Sequence, residues 1–273
     1  MDDAYLELLK KCLTASLYDE SAWRVARPTT RPDKRKRPIR SAILRLLEKR
    51  ALMLVKRKPF DGSARHGGDD WPCFGYTMVG HRRLENIQEC IETVLEDDVP
   101  GDLIETGVWR GGATIFMRAV LQRHGVTDRT VWVADSFEGM PRPETREDLS
   151  QGRYDLSQEQ YLAVSIETVK NNFRRFDLLD DKVRFLKGWF SESLPAASID
   201  KIALLRIDCD LYRSTTDVLA ALYDKVSKGG FVIVDDYQSW PPCKAAVDEF
   251  LAGKAGTVDM QQIDAHGVFW RVV

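Results

Sequence analysis

Short apolar runs alternate with helix-length segments across the second half of this 273-residue chain, and this alternation limits the possible folds more than any other feature. Five runs have the length and composition of strands: 102–106, 130–135, 182–186, 202–208 and 231–235. Strands separated by helices predict a parallel sheet with helices on both faces. Residues 258–263 and 267–272 follow one another without a helix between them, which predicts an antiparallel pair at the end of the sheet.

The first 70 residues predict a helical and basic extension. Apolar residues recur at helical spacing over 5–17 and again over 39–55, where they lie among Arg and Lys. Between these helices, residues 27–38 contain three prolines and little apolar surface, which predicts a loop or a disordered arm. A glycine-rich loop over 61–68 is expected after the second helix. We therefore divide the chain into an extension and lid, residues 1–70, and an α/β domain, residues 71–273.

The formal net charge of −2 conceals a strong asymmetry along the chain. Residues 24–58 contain 14 basic and 2 acidic residues, so the remainder is acidic. The basic block has three interpretations: a solvated arm with a covering helix, which we favour, a lid on the substrate side, and a patch for an anionic membrane or nucleic acid. Because no aromatic residue lies within 24–58, binding of single-stranded nucleic acid is disfavoured, and we expect no nucleic-acid partner.

Cysteine usage and hydropathy predict a cytoplasmic protein. The cysteines are odd in number and far apart, without the paired spacing of zinc sites or disulfide frameworks, which predicts reduced thiols. They are Cys12, Cys73, Cys90, Cys209 and Cys243. The chain opens with acids rather than a basic signal region, and no apolar run reaches the roughly 18 residues of a membrane span. We therefore expect no membrane partner.

The segments that follow the first two strands favour a nucleoside-containing cofactor, because α/β sheets bind ligands at the carboxyl ends of their strands. Residues 105–112, Glu-Thr-Gly-Val-Trp-Arg-Gly-Gly, contain glycines that let backbone N–H groups and a helix start approach a ligand. Their spacing differs from the dinucleotide G-x-G-x-x-G pattern. Asp135 and Ser136 follow the second strand, where a carboxylate could accept hydrogen bonds from ribose hydroxyls. A hydride carrier and a methyl donor both remain possible at this point.

Carboxylates gather after the fourth and fifth strands, where they predict a metal site. Asp208 and Asp210 follow the fourth strand, and Asp235 and Asp236 follow the fifth. Such clustering is repulsive unless a cation compensates it, and an all-oxygen site suits Mg²⁺. We assign Asp208, Asp235 and Asp236 to the metal and interpret Asp210 as a solvated turn residue. Mg²⁺ could lower the pKa of a bound hydroxyl while Asp208 takes its proton, which favours methyl transfer over hydride transfer.

Four ordered motifs resemble those of the macrocin O-methyltransferase (TylF/MycF-like) family: GDLIETGVWRGG (101–112), WVADSFEG (132–139), FLKGWF (185–190) and VDDY (234–237). The resemblance extends from about residue 71 to the C-terminus. It implies a class I S-adenosylmethionine-dependent methyltransferase, with a Rossmann-like, mostly parallel seven-stranded sheet, an antiparallel C-terminal strand and a helical N-terminal extension. It also implies Mg²⁺-dependent methylation of a (deoxy)sugar hydroxyl on an antibiotic-type natural product, by a homo-oligomer.

The resemblance implies roles for individual residues that match the family motifs. The metal would be held by Asp208, Asp235 and Asp236, with Asp208 also acting as the base. Thr77 and Met78 would close over the methionine part of the cofactor. The remaining cofactor contacts, from the first loop to the adenine, would be Glu105, Thr106, Gly107, Val108, Asp135, Ser136, Gly188 and Trp189.

The chain departs from the family pattern near the expected acceptor. Cys209 and Leu211 stand where family members commonly have Gly and Met. The loop over 140–156 is shorter than usual and is expected to line the acceptor pocket, so the acceptor is the least transferable part of the resemblance. Two alternatives stay open, namely a catechol-type O-methyltransferase that acts on an aromatic vicinal diol and a non-catalytic nucleotide- or nucleic-acid-binding module.

Overall fold

Short helices and a small two-stranded sheet form the N-terminal part of the chain. The computed structural model describes residues 3–17, 22–25, 38–52, 54–70, 72, 74–150, 155–254 and 258–273. The first elements are α1 (Ala4–Leu13), β1 (Ala22–Val25), α2 (Pro38–Lys49), β2 (Val55–Lys58) and α3 (Gly62–Gly67). Strands β1 and β2 pair antiparallel, a sheet that the sequence did not predict.

Both predicted N-terminal helices end earlier than their apolar patterns do. Helix α1 ends at Leu13, and Ala15 then adopts a positive φ of 52°. Helix α2 ends at Lys49, and Ala51 turns the chain with a φ of 54°. The left-handed region cannot continue an α-helix, so the later apolar residues belong to turns and to β2. The prediction of one helix over 39–55 was therefore wrong at its C-terminal end.

The predicted loop over 61–68 is a short helix, so that prediction was also wrong. The side chain of Asp61 accepts hydrogen bonds from the backbone N–H groups of Ser63 and Ala64, and Gly68 ends the helix in the left-handed conformation. An N-terminal acidic cap and a C-terminal glycine are common helix boundaries. Of the predicted arm over 27–38, residues 27–37 lie outside the described residues.

A seven-stranded sheet organises the rest of the chain. Its strands are β3 (Asp102–Thr106), β4 (Val131–Asp135), β5 (Val183–Lys187), β6 (Ile202–Ile207), β7 (Val226–Val234), β8 (Gln261–Gln262) and β9 (Val268–Arg271). The spatial order is β5-β4-β3-β6-β7-β9-β8, and β9 pairs antiparallel with both β7 and β8. The five other strands are parallel, so the predicted mostly parallel sheet with an antiparallel end is confirmed.

Helices cover both faces of this sheet and bury two apolar cores. They are α4 (His81–Glu96), α5 (Gly112–Arg123), α6 (Arg146–Leu149), α7 (Ile166–Arg175), α8 (Phe190–Ser193), α9 (Tyr212–Leu222) and α10 (Pro241–Ala252). Alternate residues of β7 enter opposite cores, Phe231 and Ile233 on one face and Val232 and Val234 on the other. No helix among the described residues is both long and apolar enough to cross a membrane.

Helix α1 is part of the main core although it precedes residue 70. Its side chains Leu6, Leu9 and Leu13 are buried together with apolar residues of α4 and α5. Helix α2 is different, because Ile39, Ile43 and further apolar side chains of this helix remain exposed. The N-terminal extension therefore consists of a docked helix followed by a segment with exposed apolar surface.

The strand order reverses beside β3, which pairs with β4 on one side and β6 on the other. Ligands of open α/β sheets bind in the crevice at such a point. Three non-glycine residues adopt a left-handed φ just beyond these strands: Trp109 (47°), Phe137 (57°) and Asp210 (58°). This conformation costs free energy and tends to occur at functional sites. The unusual backbone conformations therefore lie at the same edge of the sheet where the sequence motifs predict a functional site.

Candidate active site at the carboxyl edge of the sheet

A cavity of about 610 Å³ lies at the carboxyl ends of the strands. It brings together predicted site residues from five separate segments of the chain. The predicted site residues that line it are Met78, Gly107, Asp135, Ser136, Gly188, Trp189 and Asp208. The cavity therefore joins the predicted cofactor loops to the proposed base.

The glycine at the start of the first loop allows β3 and β6 to come close together. Gly107 has a φ of +87°, and a Cβ added there would lie 1.8 Å from the backbone oxygen of Asp208. No side chain fits at this distance without moving the backbone. The sequence requires glycine here because the cofactor loop crosses directly over the residue proposed as the base.

Asp135 connects the loops that follow β3 and β4. Its Oδ2 accepts a hydrogen bond from Val108 N (2.8 Å), and its Oδ1 accepts one from Phe137 N (2.7 Å). Burial raises the pKa of Asp135, although these N–H groups oppose the effect. A carboxylate oxygen can accept more than one hydrogen bond, so Asp135 can hold the loops and still accept from a ligand hydroxyl.

Ser136, Gly188 and Trp189 lie around Asp135 at the cavity wall. The Ser136 hydroxyl donates to Gly139 O (2.8 Å) and accepts from Glu138 N (3.1 Å), so it also shapes its own turn. Gly188 N donates to the backbone oxygen of Asp135 (3.0 Å). Trp189 is 39% exposed, which leaves part of the indole free to contact a ligand rather than buried in the core.

Four of the predicted cofactor residues, Thr77, Glu105, Thr106 and Val108, do not line the cavity. They are buried next to it. Thr77 Oγ1 accepts from Val79 N (3.3 Å), and Thr106 Oγ1 donates to the backbone oxygen of Arg206 (3.3 Å). These residues therefore support the segments that line the cavity and do not themselves face its interior.

The three predicted metal ligands are close enough together to hold one cation. One oxygen from each of Asp208, Asp235 and Asp236 lies within 4.8 Å of the others. Among the described residues, Asp236 Oδ2 is buried without a hydrogen-bond partner. Burial and then neighbouring carboxylates raise the pKa of Asp208 and of Asp236. An all-oxygen donor set with an unsatisfied buried oxygen fits a hard divalent cation such as Mg²⁺.

A buried arginine that the sequence analysis missed compensates part of this negative charge. Arg206 in β6 is fully buried, and its guanidinium donates to Glu105 Oε1, Asp208 Oδ2 (2.8 Å) and Asp235 Oδ1. Burial disfavours its charge, but the carboxylates outweigh burial and raise the pKa of Arg206. A buried arginine requires carboxylate partners. Its presence in an otherwise apolar strand was the feature of the sequence from which this role could have been predicted.

A second arginine reaches the same carboxylates from α4. Arg83 donates to Asp235 Oδ2 and to Asp264 Oδ2 (2.8 Å), and it is almost fully buried. Part of the compensation expected from Mg²⁺ therefore comes from the protein itself. The carboxylates still outnumber the two guanidinium groups, so the negative excess that suggested a cation remains.

Asp210 is a turn residue, as predicted, but it is not a solvated one. It adopts a φ of 58° and lines the cavity, where it is half-buried. Burial, followed by the charge of Asp208, raises the pKa of Asp210 to about 7. Asp210 is therefore a half-buried residue of the cavity rather than an ordinary solvated turn residue.

The loop expected at the acceptor side does line the cavity. Met140, Pro141, Arg142, Glu144 and Asp148 contribute to the wall, as does Arg213 at the start of α9. Residues 151–154 of the predicted loop lie outside the described residues.

Comparison with known proteins adds independent evidence to this geometry. The model of the family described as macrocin-O-methyltransferase (TylF) matches residues 2–272. Demethyldecarbamoylnovobiocin O-methyltransferase of Streptomyces niveus is 54% identical over 210 residues, which cover 76% of this chain and 79% of that protein. The 8-demethyl-8-(2,3-dimethoxy-alpha-L-rhamnosyl)-tetracenomycin-C 4'-O-methyltransferase of Streptomyces olivaceus is 46% identical over 271 residues, 98% of this chain and 92% of that one.

A solved structure supports the same relationship. The O-methyltransferase NovP is 44% identical, covers 98% of each chain and superposes with a TM-score of 0.83. The match includes the N-terminal extension as well as the seven-stranded sheet, because it spans almost the whole of both chains.

Proposed function

Because the chain belongs to the macrocin O-methyltransferase (TylF) family, we propose that it transfers a methyl group from S-adenosylmethionine to a sugar hydroxyl of an antibiotic-type natural product. It is an O-methyltransferase with a class I methyltransferase fold, and this fold supports S-adenosylmethionine as the donor. The observation that carries the proposal is the cavity in which Gly107, Asp135 and Trp189 face Asp208. Membership of an enzyme family decides against the non-catalytic alternative.

The cofactor would lie along the loops after β3, β4 and β5. Asp135 is the proposed hydrogen-bond acceptor for the ribose, with Ser136 beside it. Gly188 and Trp189 are proposed to lie near the adenine, and Met78 near the methionine part. Glu105, Thr106, Val108 and Thr77 are proposed to act from behind the cavity wall by fixing these loops.

Asp208, Asp235 and Asp236 are the proposed ligands of a Mg²⁺ ion. When bound, the ion would lower the pKa of an acceptor hydroxyl and so make its oxygen a better nucleophile. Arg206 holds Oδ2 of Asp208, which fixes the carboxylate and leaves Oδ1 to accept the hydroxyl proton. The buried arginines keep Asp208 and Asp235 in place before any ligand binds.

The charge of the cavity favours a neutral glycoside as acceptor. Among the described residues, six carboxylates and two guanidinium groups line the cavity. Mg²⁺ and the sulfonium of S-adenosylmethionine would offset part of this negative excess, and the rest would disfavour the two added phosphate charges of a nucleoside diphosphate sugar. The relative from Streptomyces olivaceus is named for a rhamnosyl-tetracenomycin. We therefore propose that the sugar is already joined to its aglycone when it is methylated.

We propose two parts for the chain, an N-terminal extension (residues 1–70) and a methyltransferase domain (residues 71–273). Within the extension, the segment from β1 to β2 is proposed to act as a lid and to contact a second copy of the chain. Large apolar side chains on α2, including Ile39, Ile43 and Leu46, are at least half exposed. Exposed apolar surface of this kind supports burial against a second copy, so we propose a homo-oligomer.

Methyl transfer with and without a chelator tests the function and the metal together. Labelled S-adenosylmethionine is incubated with deoxysugar glycosides and, in parallel, with catechols. We expect transfer to a glycoside hydroxyl, loss of activity with EDTA and recovery with excess Mg²⁺. Full turnover after chelation would contradict the metal assignment, and preference for catechols would favour the aromatic alternative.

A further inference from the structure

One buried carboxylate links the acceptor-side wall of the cavity, residues 140–150, to the start of helix α9. Asp148, in α6, is 2% exposed, and its two oxygens serve different segments. Oδ2 accepts a hydrogen bond from Thr145 Oγ1 (2.7 Å), within the wall. Oδ1 accepts one from Tyr212 N (2.7 Å), at the start of α9. The carboxylate therefore joins two segments that are 64 positions apart in the chain.

The start of α9 depends on this contact for a side-chain cap. Its N-cap residue, Leu211, has no side-chain oxygen and makes no capping hydrogen bond. The first N–H groups of a helix need partners outside the helix, and a carboxylate there also interacts favourably with the helix dipole. Asp148 meets both requirements for Tyr212 N from another part of the fold.

The hydrogen bond from Tyr212 N to Asp148 joins the wall to a helix that begins close to the proposed base, Asp208. Helix α9 begins four residues after Asp208, and the segment between them includes Asp210. The wall that contains Asp148 also presents Met140, Arg142 and Glu144 to the cavity. Helix α6 packs in addition against α9 and α10, so the wall is fixed at its C-terminal end.

We propose that Asp148 is a positioning residue for methyl transfer, which sets the acceptor-side wall at a fixed distance from Asp208. The inference rests on the proposed function, and it identifies Asp148 as a residue on which correct placement of the acceptor depends. The acceptor hydroxyl must meet Asp208 while the rest of the acceptor contacts the wall, and small displacements of reacting groups are costly. Loosening the wall should impair use of the acceptor and spare the cofactor contacts, because Asp135 and Ser136 are held by hydrogen bonds that do not involve Asp148.

Two variants at position 148 separate positioning from general stability. Asp148→Ala removes the cap on Tyr212 N, whereas Asp148→Asn keeps a side-chain oxygen that can accept the same hydrogen bond. Ser165→Ala is a matched control, because Ser165 caps α7 through Thr168 N (3.2 Å) and does not line the cavity. Ser165→Ala shows what the loss of a helix cap away from the cavity does to activity, and Asp148→Ala should lower stability more because it leaves two donors without their buried acceptor.

The readouts are hydrogen exchange, S-adenosylmethionine affinity by calorimetry, and kcat/KM for the glycoside. We expect Asp148→Ala to speed amide exchange at Tyr212 and across residues 142–150 without changing S-adenosylmethionine affinity. It should lower kcat/KM for the acceptor about tenfold, which corresponds to about 1.4 kcal/mol. Asp148→Asn should restore most of this loss, and Ser165→Ala should keep the wild-type kcat/KM.

Different results overturn different parts of the argument. Wild-type kcat/KM in Asp148→Ala, or an equal loss in Ser165→Ala, would overturn the positioning role. Unchanged exchange at Tyr212 in Asp148→Ala would do the same, because the bond would then not fix the start of α9. A wild-type enzyme that methylates no glycoside would instead overturn the proposed function, and the exchange data would still report on the wall.

Discussion

The three aspartates proposed to hold the metal differ in how many of their oxygens are already engaged. Both oxygens of Asp235 accept hydrogen bonds from arginines, one from Arg206 and one from Arg83. Asp208 has Oδ2 engaged by Arg206, whereas Asp236 Oδ2 has no partner among the described residues. Asp208 and Asp236 therefore present the most available oxygens to a cation, and Asp235 is held most rigidly.

Substitution of Asp208 by Asn tests its proposed role as the base. The change removes the carboxylate that would accept the proton, and loss of a general base typically costs about 100-fold to 10,000-fold in rate. We expect a fall in kcat of at least about 100-fold, with unchanged affinity for S-adenosylmethionine measured by calorimetry.

Asp180→Asn is the control for this substitution. Asp180 pairs with Arg118 (2.5 Å) away from the cavity, so its loss should affect stability without affecting the rate. A kcat for Asp208→Asn close to that of Asp180→Asn would exclude Asp208 as the base.

At the scale of residues, the sequence predicted the carboxylates and missed their partners. Asp208, Asp235 and Asp236 follow apolar strands directly, so their meeting at one edge could be predicted from strand order alone. Arg83 contacts Asp235 across 152 positions, and nothing local to Arg83 indicates this contact. Long-range ion pairs depend on how the helices pack, which periodicity does not specify.

At the scale of elements, the turn between β3 and α5 is the most constrained part of the site. It contains Gly107, with a φ of +87°, Trp109, with a φ of 47°, and Gly111, with a φ of +85°. The indole N–H of Trp109 donates to Tyr161 O (2.9 Å), which helps to hold this unusual backbone in place. The turn thus lies close to the end of β6 at Gly107 and is also bonded, through Trp109, to the segment that contains Tyr161.

Gly107→Ala should disable this turn. The new Cβ would lie 1.8 Å from Asp208 O, and a left-handed φ is itself unfavourable for alanine. Gly125→Ala is a matched control, because Gly125 has a φ of +68° but nothing within 4 Å of its added Cβ.

We expect Gly125→Ala to lose about 1–2 kcal/mol of unfolding free energy and to keep full S-adenosylmethionine affinity. Gly107→Ala should lose more stability and most of its affinity, as measured by denaturant unfolding and calorimetry. Equal behaviour of the two variants would mean that the close approach to Asp208 has no special importance.

The sequence predicted the strands of the main sheet well and the ends of the N-terminal helices poorly. Buried parallel strands are continuous apolar runs, so β3 to β7 could be recognised directly. Strand β2 reads Val-Lys-Arg-Lys, which lacks both an apolar run and a clear alternation. Its pairing with β1 depends on partners 30 to 36 positions away.

At the scale of the whole molecule, the near-neutral charge of the chain separates into regions with different roles. The basic excess lies within residues 24–58, part of which is outside the described residues. Part of the acidic excess is buried at the edge of the sheet, where carboxylates outnumber Arg83 and Arg206. The fold therefore maintains a negative centre that either protons or a divalent cation can neutralise.

The pH dependence of metal stabilisation tests this description of the centre. Burial raises the pKa of Glu105 from 4.5 to about 8, against the opposing effect of Arg206. A carboxyl group with a raised pKa holds a proton in the fold that the unfolded chain releases. The metal-free protein therefore loses stability from this group as the pH rises from 4.5 to about 8.

A divalent cation binds ionised carboxylates in competition with protons, and burial raises the pKa of Asp208 and of Asp236 as well. The stabilising effect of the cation should therefore also grow as the pH rises. We expect millimolar Mg²⁺ to raise the Tm more at about pH 8 than at about pH 6, as measured by thermal unfolding. Asp236→Asn should remove most of this increment, because it replaces the carboxylate with the unpartnered oxygen, whereas Asp180→Asn should retain it. An equal increment at both pH values would show that protons do not compete with the metal at these carboxylates. No increment at either pH would show that no metal binds there, and the two arginines alone would then compensate the negative excess.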